Sequence, residues 1–355
     1  MNKKLLTGAV GAALVAAPML AAQADVKVYG MAHVSLDVVS CDGPGCREGT
    51  GTGTSQTFFD ENDMYMANNS SRFGIKASED LGGGLKGVAQ FEIFVDQSDD
   101  TTVNANRNNY VGLEGGFGKV WLGRVDSSQK DVGGIADLFY REQLGESRSI
   151  INLGGSDGRS NNSLTYYSPK LGPVTIKAQY VVPDTAANDA AQMNVNATGT
   201  FGPVTGGLAY WKNETASTAT NAEDTTGWRL GVSVPLGGFK ITGLYESVDA
   251  IGNVDGRDQT AWGLGAEFKM GNNDLKAQYY VADERDDVKD SGGSMWAIGV
   301  DHNFSKTFVG YVVYASLDND DAAQFSLGGN GHGETYTPAA GESSSGFSLG
   351  FRYAF

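Results

Sequence analysis

The chain has three histidines, His33, His302 and His332, which are its only imidazoles for general-base chemistry. A hydrolytic nucleophile needs a histidine that lies beside a serine or cysteine and is oriented by a carboxylate. His332 stands in the glycine-rich stretch GGNGHGE and His302 near a turn in AIGVDHNF, and neither context indicates such an arrangement. The glycine-rich stretches LGGGLKG and GGFGK lack the GxxxxGK(S/T) pattern of a phosphate-binding loop. We therefore predict that the protein is not an enzyme and has no catalytic residues.

Acidic clusters are the second feature that could do chemistry. The stretches ADERDDVKD and LDNDDAAQ are rich in carboxylate oxygens, the ligands that Ca²⁺ prefers, but they lack the regular spacing of a dedicated calcium loop. Solvated extracellular loops are the alternative interpretation. We expect no cofactor and no structural metal, with weakly bound Ca²⁺ at these loops as the alternative that stays open.

Two cysteines, Cys41 and Cys46, lie close together in CDGPGC. An exported protein meets an oxidising compartment, so the spacing favours a local disulfide that closes a Gly/Pro loop. A metal site is the competing interpretation, but no third ligand lies nearby in the sequence. We predict the disulfide.

The N-terminal residues 1–24 have the pattern of a secretory signal peptide. Two lysines precede an apolar run, which ends in the small-residue triplet Ala22-Gln23-Ala24. Cleavage would leave residues 25–355 as a single domain and take the net charge from −16 to −18. So acidic a chain is a poor partner for nucleic acid, because phosphate backbones need basic patches.

Runs that alternate between apolar and polar residues recur along the mature chain, and most have about the ten residues of a membrane-crossing strand. The last run, GFSLGFRYAF, places only Phe, Leu and Tyr on one face. Earlier examples are VKVYGMAHVSLDV, LKGVAQFEIFVD, VTIKAQY, WRLGVSV and WGLGAEFK. Period-two alternation predicts strands that have one apolar and one polar face.

The connections between these runs are of two kinds, short and long, and the kinds alternate. The short connections, which have the glycine, proline and asparagine of hairpin turns, are EDLGGGL, GGFG, KLGP, TFGP, PLGG, MGNN and NFSK. Seven hairpins and two end strands make sixteen strands. The pattern predicts an all-β fold, a sixteen-stranded antiparallel transmembrane β-barrel with short periplasmic turns and long extracellular loops. A barrel of that size encloses water, which explains the polar inner face and a mean hydropathy of −0.27.

The mature chain resembles the Gram-negative general diffusion porins, a family of trimeric sixteen-stranded outer-membrane proteins. The segments that carry the resemblance are DVKVYGMAHVSLDVV, SRFGIKASEDLGGGLKGVAQFE, RNNYVGLEGGFGKVWLGR, NNSLTYYSP and GFSLGFRYAF. The resemblance implies a homotrimer that contacts outer-membrane lipid and lipopolysaccharide. It also implies that the C-terminal aromatics Phe351, Tyr353 and Phe355 form a recognition signal for the barrel-assembly machinery.

The third long loop, residues 126–160, is by this resemblance the segment that folds into the barrel and narrows it. Opposed charges across such a constriction orient polar solutes. The matching segments assign four basic residues to the wall, Arg72, Arg107, Arg124 and Arg159. The candidate acidic partners on the loop are Asp131, Asp137, Glu142 and Glu146. The alternative is that the loop acids pair locally with Arg141 and Arg148.

The predicted function is therefore a water-filled outer-membrane channel for passive diffusion of ions and small hydrophilic solutes. A substrate-selective channel and a mainly structural surface barrel are the alternatives.

Overall fold

The computed structural model describes most of residues 25–355. The described residues are 24–42, 47–48, 64–98, 103–104, 106–139, 142–155, 157–183, 190–217, 219–329, 331–333 and 336–355. Residues 1–23 lie outside them, so the signal peptide over 1–24 and the domain boundary at 25 stay predictions.

Sixteen strands form one closed antiparallel sheet, as predicted. Two of them are interrupted: β2 consists of Met64–Asn68 and Arg72–Gly82, and β4 of Val103–Asn104 and Asn109–Gly115. The other strands of the first half are β1 Asp25–Cys41, β3 Leu85–Val95, β5 Gly118–Asp126, β6 Arg159–Tyr167, β7 Val174–Val181 and β8 Gln192–Phe201. Those of the second half are β9 Val204–Asn213, β10 Thr225–Leu236, β11 Phe239–Asp249, β12 Gln259–Met270, β13 Asn273–Ala282, β14 Gly293–Asn303, β15 Phe308–Asn319 and β16 Ser344–Ala354.

The barrel closes where the two ends of the chain meet. Strand β1 pairs with β16 from Met31, opposite Ala354, to Cys41, opposite Ser344, and its other edge pairs with both segments of β2. Backbone hydrogen bonds of 3.0 and 3.1 Å between Gly30 and Phe355 extend this ladder. Closure leaves the sheet without an unpaired edge, as a membrane-spanning barrel requires.

All seven predicted short connections join neighbouring strands. In the first of them Gly82, Gly83 and Gly84 have φ values of 84°, 61° and 79°, in the left-handed region that favours glycine. Because the chain reverses within a few residues there, β2 and β3 pair down to the turn.

The outward face of the barrel is apolar and exposed, and the inward face is polar. In β16 the outward residues Phe347, Leu349, Phe351, Tyr353 and Phe355 are 45–58% exposed. Aromatic rings stack along the same surface, as Trp228 does on Tyr245 at 4.8 Å. An exposed apolar band with aromatic pairs is the surface that a bilayer covers.

The buried apolar side chains cluster where the long connection between β5 and β6 enters the lumen. This connection, loop 3 (residues 127–158), contains the helix α1, Ser128–Ala136, and two short 3₁₀ turns, Ser147–Ser149 and Leu153–Gly155. Loop 3 contributes Phe139, Leu144, Ile150 and Ile151 to the cluster. In the described part of the chain, no helix has the length and apolarity to span a bilayer.

Candidate functional site: a charged constriction

Loop 3 turns into the barrel directly after β5. Ser127 is the N-cap of α1, and its side chain accepts a hydrogen bond from the Lys130 amide at 3.2 Å. The helix then contacts strands β8 to β11 on the far side of the lumen. This path crosses the lumen and leaves a gap on the side of β1 to β6.

Lumen-facing glycines on β9, β10 and β14 make room for the loop. A Cβ on Gly231 would lie 2.6 Å from the Val132 carbonyl oxygen, and one on Gly299 would lie 2.9 Å from the Phe139 ring. On Gly207 it would lie 2.7 Å from Ile135. Loop 3 therefore packs against backbone that a larger residue would displace.

Arg229 on β10 fixes the loop electrostatically. Its guanidinium binds the carboxylates of Glu246 on β11 and Asp157 in loop 3, and donates to the Gln129 carbonyl at 2.9 Å. The side chains of Arg229, Asp157 and Glu246 are at most 3% exposed. Glu246 also accepts the Leu153 amide at 2.7 Å, so this cluster ties both halves of the loop to the wall.

Three further polar anchors hold loop 3 against the wall. Gln278 on β13 donates to the Gly145 carbonyl at 2.6 Å. Lys276, two residues earlier, donates to Gln143 at 2.6 Å. Lys177 on β7 binds Asp131 at 2.7 Å. These contacts fix the position of the loop, and with it the width of the remaining gap.

That gap is a polar cavity of about 420 Å³ between the inner edge of loop 3 and the wall of β1 to β6. Arg72, Arg107 and Arg159 line it from the wall, and Lys130 and Glu142 line it from the loop. The structure thus brings three of the four predicted arginines and one of the four predicted acids together.

Wall carboxylates partly neutralise these cations. Arg107 binds Glu92 at 2.6 Å, and Arg159 binds Asp126 at 3.1 Å. Asp126 also lies 3.5 Å from Lys130 of loop 3.

Arg72 is the basic residue whose carboxylate partner is most distant. It lies 4.0 Å from Glu142 across the gap, and its side chain is 23% exposed. Four cationic side chains and three side-chain carboxylates line the cavity, so the formal charge of these side chains is +1.

Arg124 does not take the predicted place on the lumen wall. It lies opposite Asn109 on the outward-facing side of β5, and it donates to the Asn106 carbonyl at 2.8 Å. A register shift between Gly123 and Val125 interrupts the alternation just before Asp126 returns to the lumen. The bulge separates Arg124 from the arginines of the cavity.

Three of the predicted acids have other partners. Asp131 binds Lys177, and Asp137 accepts the Ser147 amide and hydroxyl, both at 2.7 Å. Glu146 binds Arg148 within the loop, which is the local pairing given above as the alternative. Burial raises the pKa of Asp131 and of Asp137, and it raises the pKa of Glu146 to about 7. These acids organise the loop and its anchors.

Four ionisable residues of the cavity were absent from the sequence-based assignment: Tyr29, Glu92, Asp126 and Lys130. The Tyr29 hydroxyl donates to Glu92 at 2.8 Å and so supports the carboxylate that binds Arg107. Glu92 lies on the polar face of an alternating run, so the alternation could have predicted that its side chain faces the lumen. Lys130 could not be found in this way, because its position depends on how loop 3 folds.

The disulfide and the C-terminal assembly signal stay predictions. Cys46 lies outside the described residues, so the disulfide with Cys41 is untested, as is the assembly role of Phe355. His33 and His332 are buried; His33 bonds the Tyr311 hydroxyl at 2.8 Å, and His332 lies 3.0 Å from Asp37. Among the residues described, no three His, Cys, Asp or Glu side chains are grouped to hold a metal.

Comparisons with known proteins agree with this geometry. The family model of the Gram-negative porins matches residues 9–322. Outer membrane porin protein 32 of Delftia acidovorans is 31% identical over the full length of both chains.

Two solved structures illustrate the likeness of fold. The anion-selective porin from Comamonas acidovorans is 25% identical, with 94% of this chain and 100% of that chain covered at a TM-score of 0.79. A trimer form of OmpT from Vibrio cholerae is 19% identical, with coverage of 94% and 99% at a TM-score of 0.68. Family and fold are those of a channel rather than an enzyme. The chain belongs to the Gram-negative porin family, and it is an integral outer-membrane protein that forms a channel for passive diffusion.

Proposed function

We propose that the cavity between loop 3 and the arginine wall is the selectivity filter of this pore, and that it gives a weak preference for anions at high salt. The observation that supports the proposal is the set of charges that line the cavity, four cations against three carboxylates. One relative of similar fold is described as an anion-selective porin, which supports the same sign.

The weakness of the preference follows from the pairing of the charges. Glu92 and Asp126 lie within 3.5 Å of three of the cations, so an ion that passes meets dipoles rather than bare charges. One excess charge at about 4 Å contributes roughly 1 kcal/mol in a water-like medium. The acidic extracellular loops attract cations instead, but only within a Debye length of about 8 Å at physiological salt. Cation preference should therefore grow as salt is lowered.

The experiment is a reversal-potential measurement in planar bilayers under a KCl gradient, at high and at low salt. Replacing Arg72 and Arg107 together by Ser changes the formal charge of the cavity from +1 to −1. The reversal potential should shift towards the value for a cation-selective pore. The conductance should rise because two large side chains are removed. Arg124→Ser is the matched control, because Arg124 lies outside the cavity; it should leave the reversal potential unchanged. A double variant with the wild-type reversal potential at both salts would refute the proposed filter.

We further propose that the chain works as a homotrimer in contact with outer-membrane lipid and lipopolysaccharide, after insertion by the barrel-assembly machinery. The trimer form of one structure with the same fold supports the oligomeric state. We propose that passive diffusion needs no cofactor and no catalysis; weak Ca²⁺ binding at the acidic loops stays the alternative to loops that are only solvated. Chemical cross-linking of the purified protein should give a trimer as the largest species, and a monomer only would contradict it.

A further inference from the structure

A second charged cavity lies on the other side of loop 3, away from the arginine wall. It measures about 370 Å³ and lies between the loop and the inner faces of β11 to β14 and β16. Lys240 and Asp274 are each the second residue of a strand that follows a short turn, so the cavity lies towards the periplasmic end. We call it the exit pocket. Its ionisable lining residues are Asp137, Lys240, Glu267, Asp274, Lys276, Asp301 and Arg352.

The charges on the wall of the exit pocket alternate from strand to strand. Lys240 on β11 is paired in register with Glu267 on β12, and the two side chains are 2.7 Å apart. Glu267 is paired in register with Lys276 on β13, which binds Asp301 on β14 at 2.9 Å. Positive and negative groups thus stand side by side across four strands.

Asp274, which also lines the exit pocket, has one carboxylate oxygen with a hydrogen-bond partner and one without. Its Oδ2 accepts a hydrogen bond from the Asn303 side chain at 2.8 Å. Its Oδ1 is buried and has no hydrogen-bond partner among the described residues. A buried carboxylate oxygen is costly to leave unpaired, so a rotation of the Asp274 side chain that brings Oδ1 to a hydrogen-bond donor in the pocket would be favourable.

We propose that the exit pocket is a weak binding station for small zwitterionic solutes of the free amino acid type. An ammonium group would bind at Asp274 and Glu267, and a carboxylate a few Å away would bind at Lys240. This inference concerns a place in the pore separate from the proposed arginine filter.

Charge balance explains why a zwitterion fits better than a simple ion. Three cations and four carboxylates line the pocket, so a free anion or a free cation meets attraction and repulsion of similar size. A solute that has both charges can place each one against its opposite. Lys240 and Glu267 are 35% and 21% exposed, so this pair is accessible to a solute in the lumen.

The test compares three probes built on one scaffold at pH 6: free glycine, a zwitterion; N-acetylglycine, an anion; and glycinamide, a cation. Each is titrated into a planar bilayer that contains single wild-type channels in KCl, and the solute-dependent drop in conductance is fitted for half-saturation. The half-saturation concentration of free glycine should be about threefold lower than that of N-acetylglycine or glycinamide. A factor of this size corresponds to the free energy of one exposed ion pair. Equal half-saturation for all three probes, or no saturation by glycine, would overturn the proposal without any variant.

Variants then locate the effect. Glu267→Gln with Asp274→Asn removes two carboxylates at constant shape, which leaves the pocket net positive. Glycine should lose its advantage, and N-acetylglycine should become the tightest of the three probes. The matched control is Glu114→Gln, which breaks a lumen-facing ion pair with Lys119 on the opposite wall, 3.5 Å long in the wild type. It should keep the wild-type order of probes. An unchanged order in the double variant would overturn the assignment to this pocket, whereas the KCl reversal potentials test the arginine filter independently.

Discussion

Arg229 is the residue whose removal should widen the pore. Its guanidinium is 1% exposed and lies between Glu246 and Asp157, which are 0% and 3% exposed. Arg229→Met keeps a long side chain but leaves two carboxylates buried without their cation. Breaking a buried ion pair in this way costs about 3–5 kcal/mol.

The barrel wall does not depend on this cluster, so the cost falls on the docking of loop 3. A tenfold change in a population corresponds to about 1.4 kcal/mol, so the ratio of docked to released loop should fall by about two to four orders of magnitude. The second half of the loop also loses support, because Glu246 holds the Leu153 amide at 2.7 Å. A released loop 3 no longer sets the width of the arginine gap.

Single-channel conductance and the size limit for polyethylene glycol entry measure this width. Arg229→Met should raise both and increase the open-channel noise. A triple variant that combines Arg229→Met with Asp157→Asn and Glu246→Gln leaves no uncompensated charge, so it should return towards the wild-type values. Wild-type conductance and size limit in Arg229→Met would refute the anchoring role. A triple variant as open as the single one would refute the argument from buried charge.

Three further outcomes are expected. Gly30→Ala should lower the yield of folded barrel on heat-modifiability gels, because the new Cβ would lie 2.4 Å from the Phe355 ring and 2.9 Å from the Arg72 carbonyl oxygen. Deletion of Phe355 should also lower this yield. A wild-type yield from either variant would contradict the expectation. Cys41 and Cys46 should be linked, so the non-reduced intact mass should be lower by two hydrogen atoms than that of the reduced protein, and Cys41→Ser should still conduct; free thiols that alkylate without reduction would contradict the link. Burial raises the pKa of Glu146 from 4.5 to about 7. Between pH 4.5 and pH 7, loop 3 therefore binds more protons when it is docked than when it is released. Docking becomes more favourable as the pH falls through this range. Open-channel noise should therefore decrease from pH 8 to pH 5, and the decrease should be smaller in Glu146→Gln; an equal pH dependence in the variant would contradict it.

The strands and turns could be predicted from the sequence because each is specified locally. Alternation assigns each residue of GFSLGFRYAF to a face, and the exposures of Phe347 and Phe355 agree with it. Short turns such as PLGG and MGNN give the hairpins, and the number of hairpins gives the number of strands. In a barrel of this kind, period and turn chemistry determine most of the fold.

The site could be predicted only in part, because loop 3 is positioned by contacts that are distant in sequence. The Gln278 side chain that bonds Asp137 is 141 positions away, and no local pattern connects the two. Arg72, Arg107 and Arg159 could be assigned because the segments that contain them match those of the family. Arg124 was misplaced because the bulge that follows it has no sequence signal that we recognised.

The closure of the barrel has a consequence for protein engineering. Seven of the eight periplasmic strand junctions are covalent turns, and the eighth, between β16 and β1, is made only by hydrogen bonds such as those between Gly30 and Phe355. The ends of these two strands therefore already lie as the arms of a hairpin do, although β1 extends beyond Phe355 by residues 25–29. A linker from Phe355 to Asp25 that spans the length of residues 25–29 would complete this last turn, and new termini could then be opened in a long loop at the other end. Circular permutation of residues 25–355 would thus give a channel that presents its termini, or a fused domain, at the cell surface.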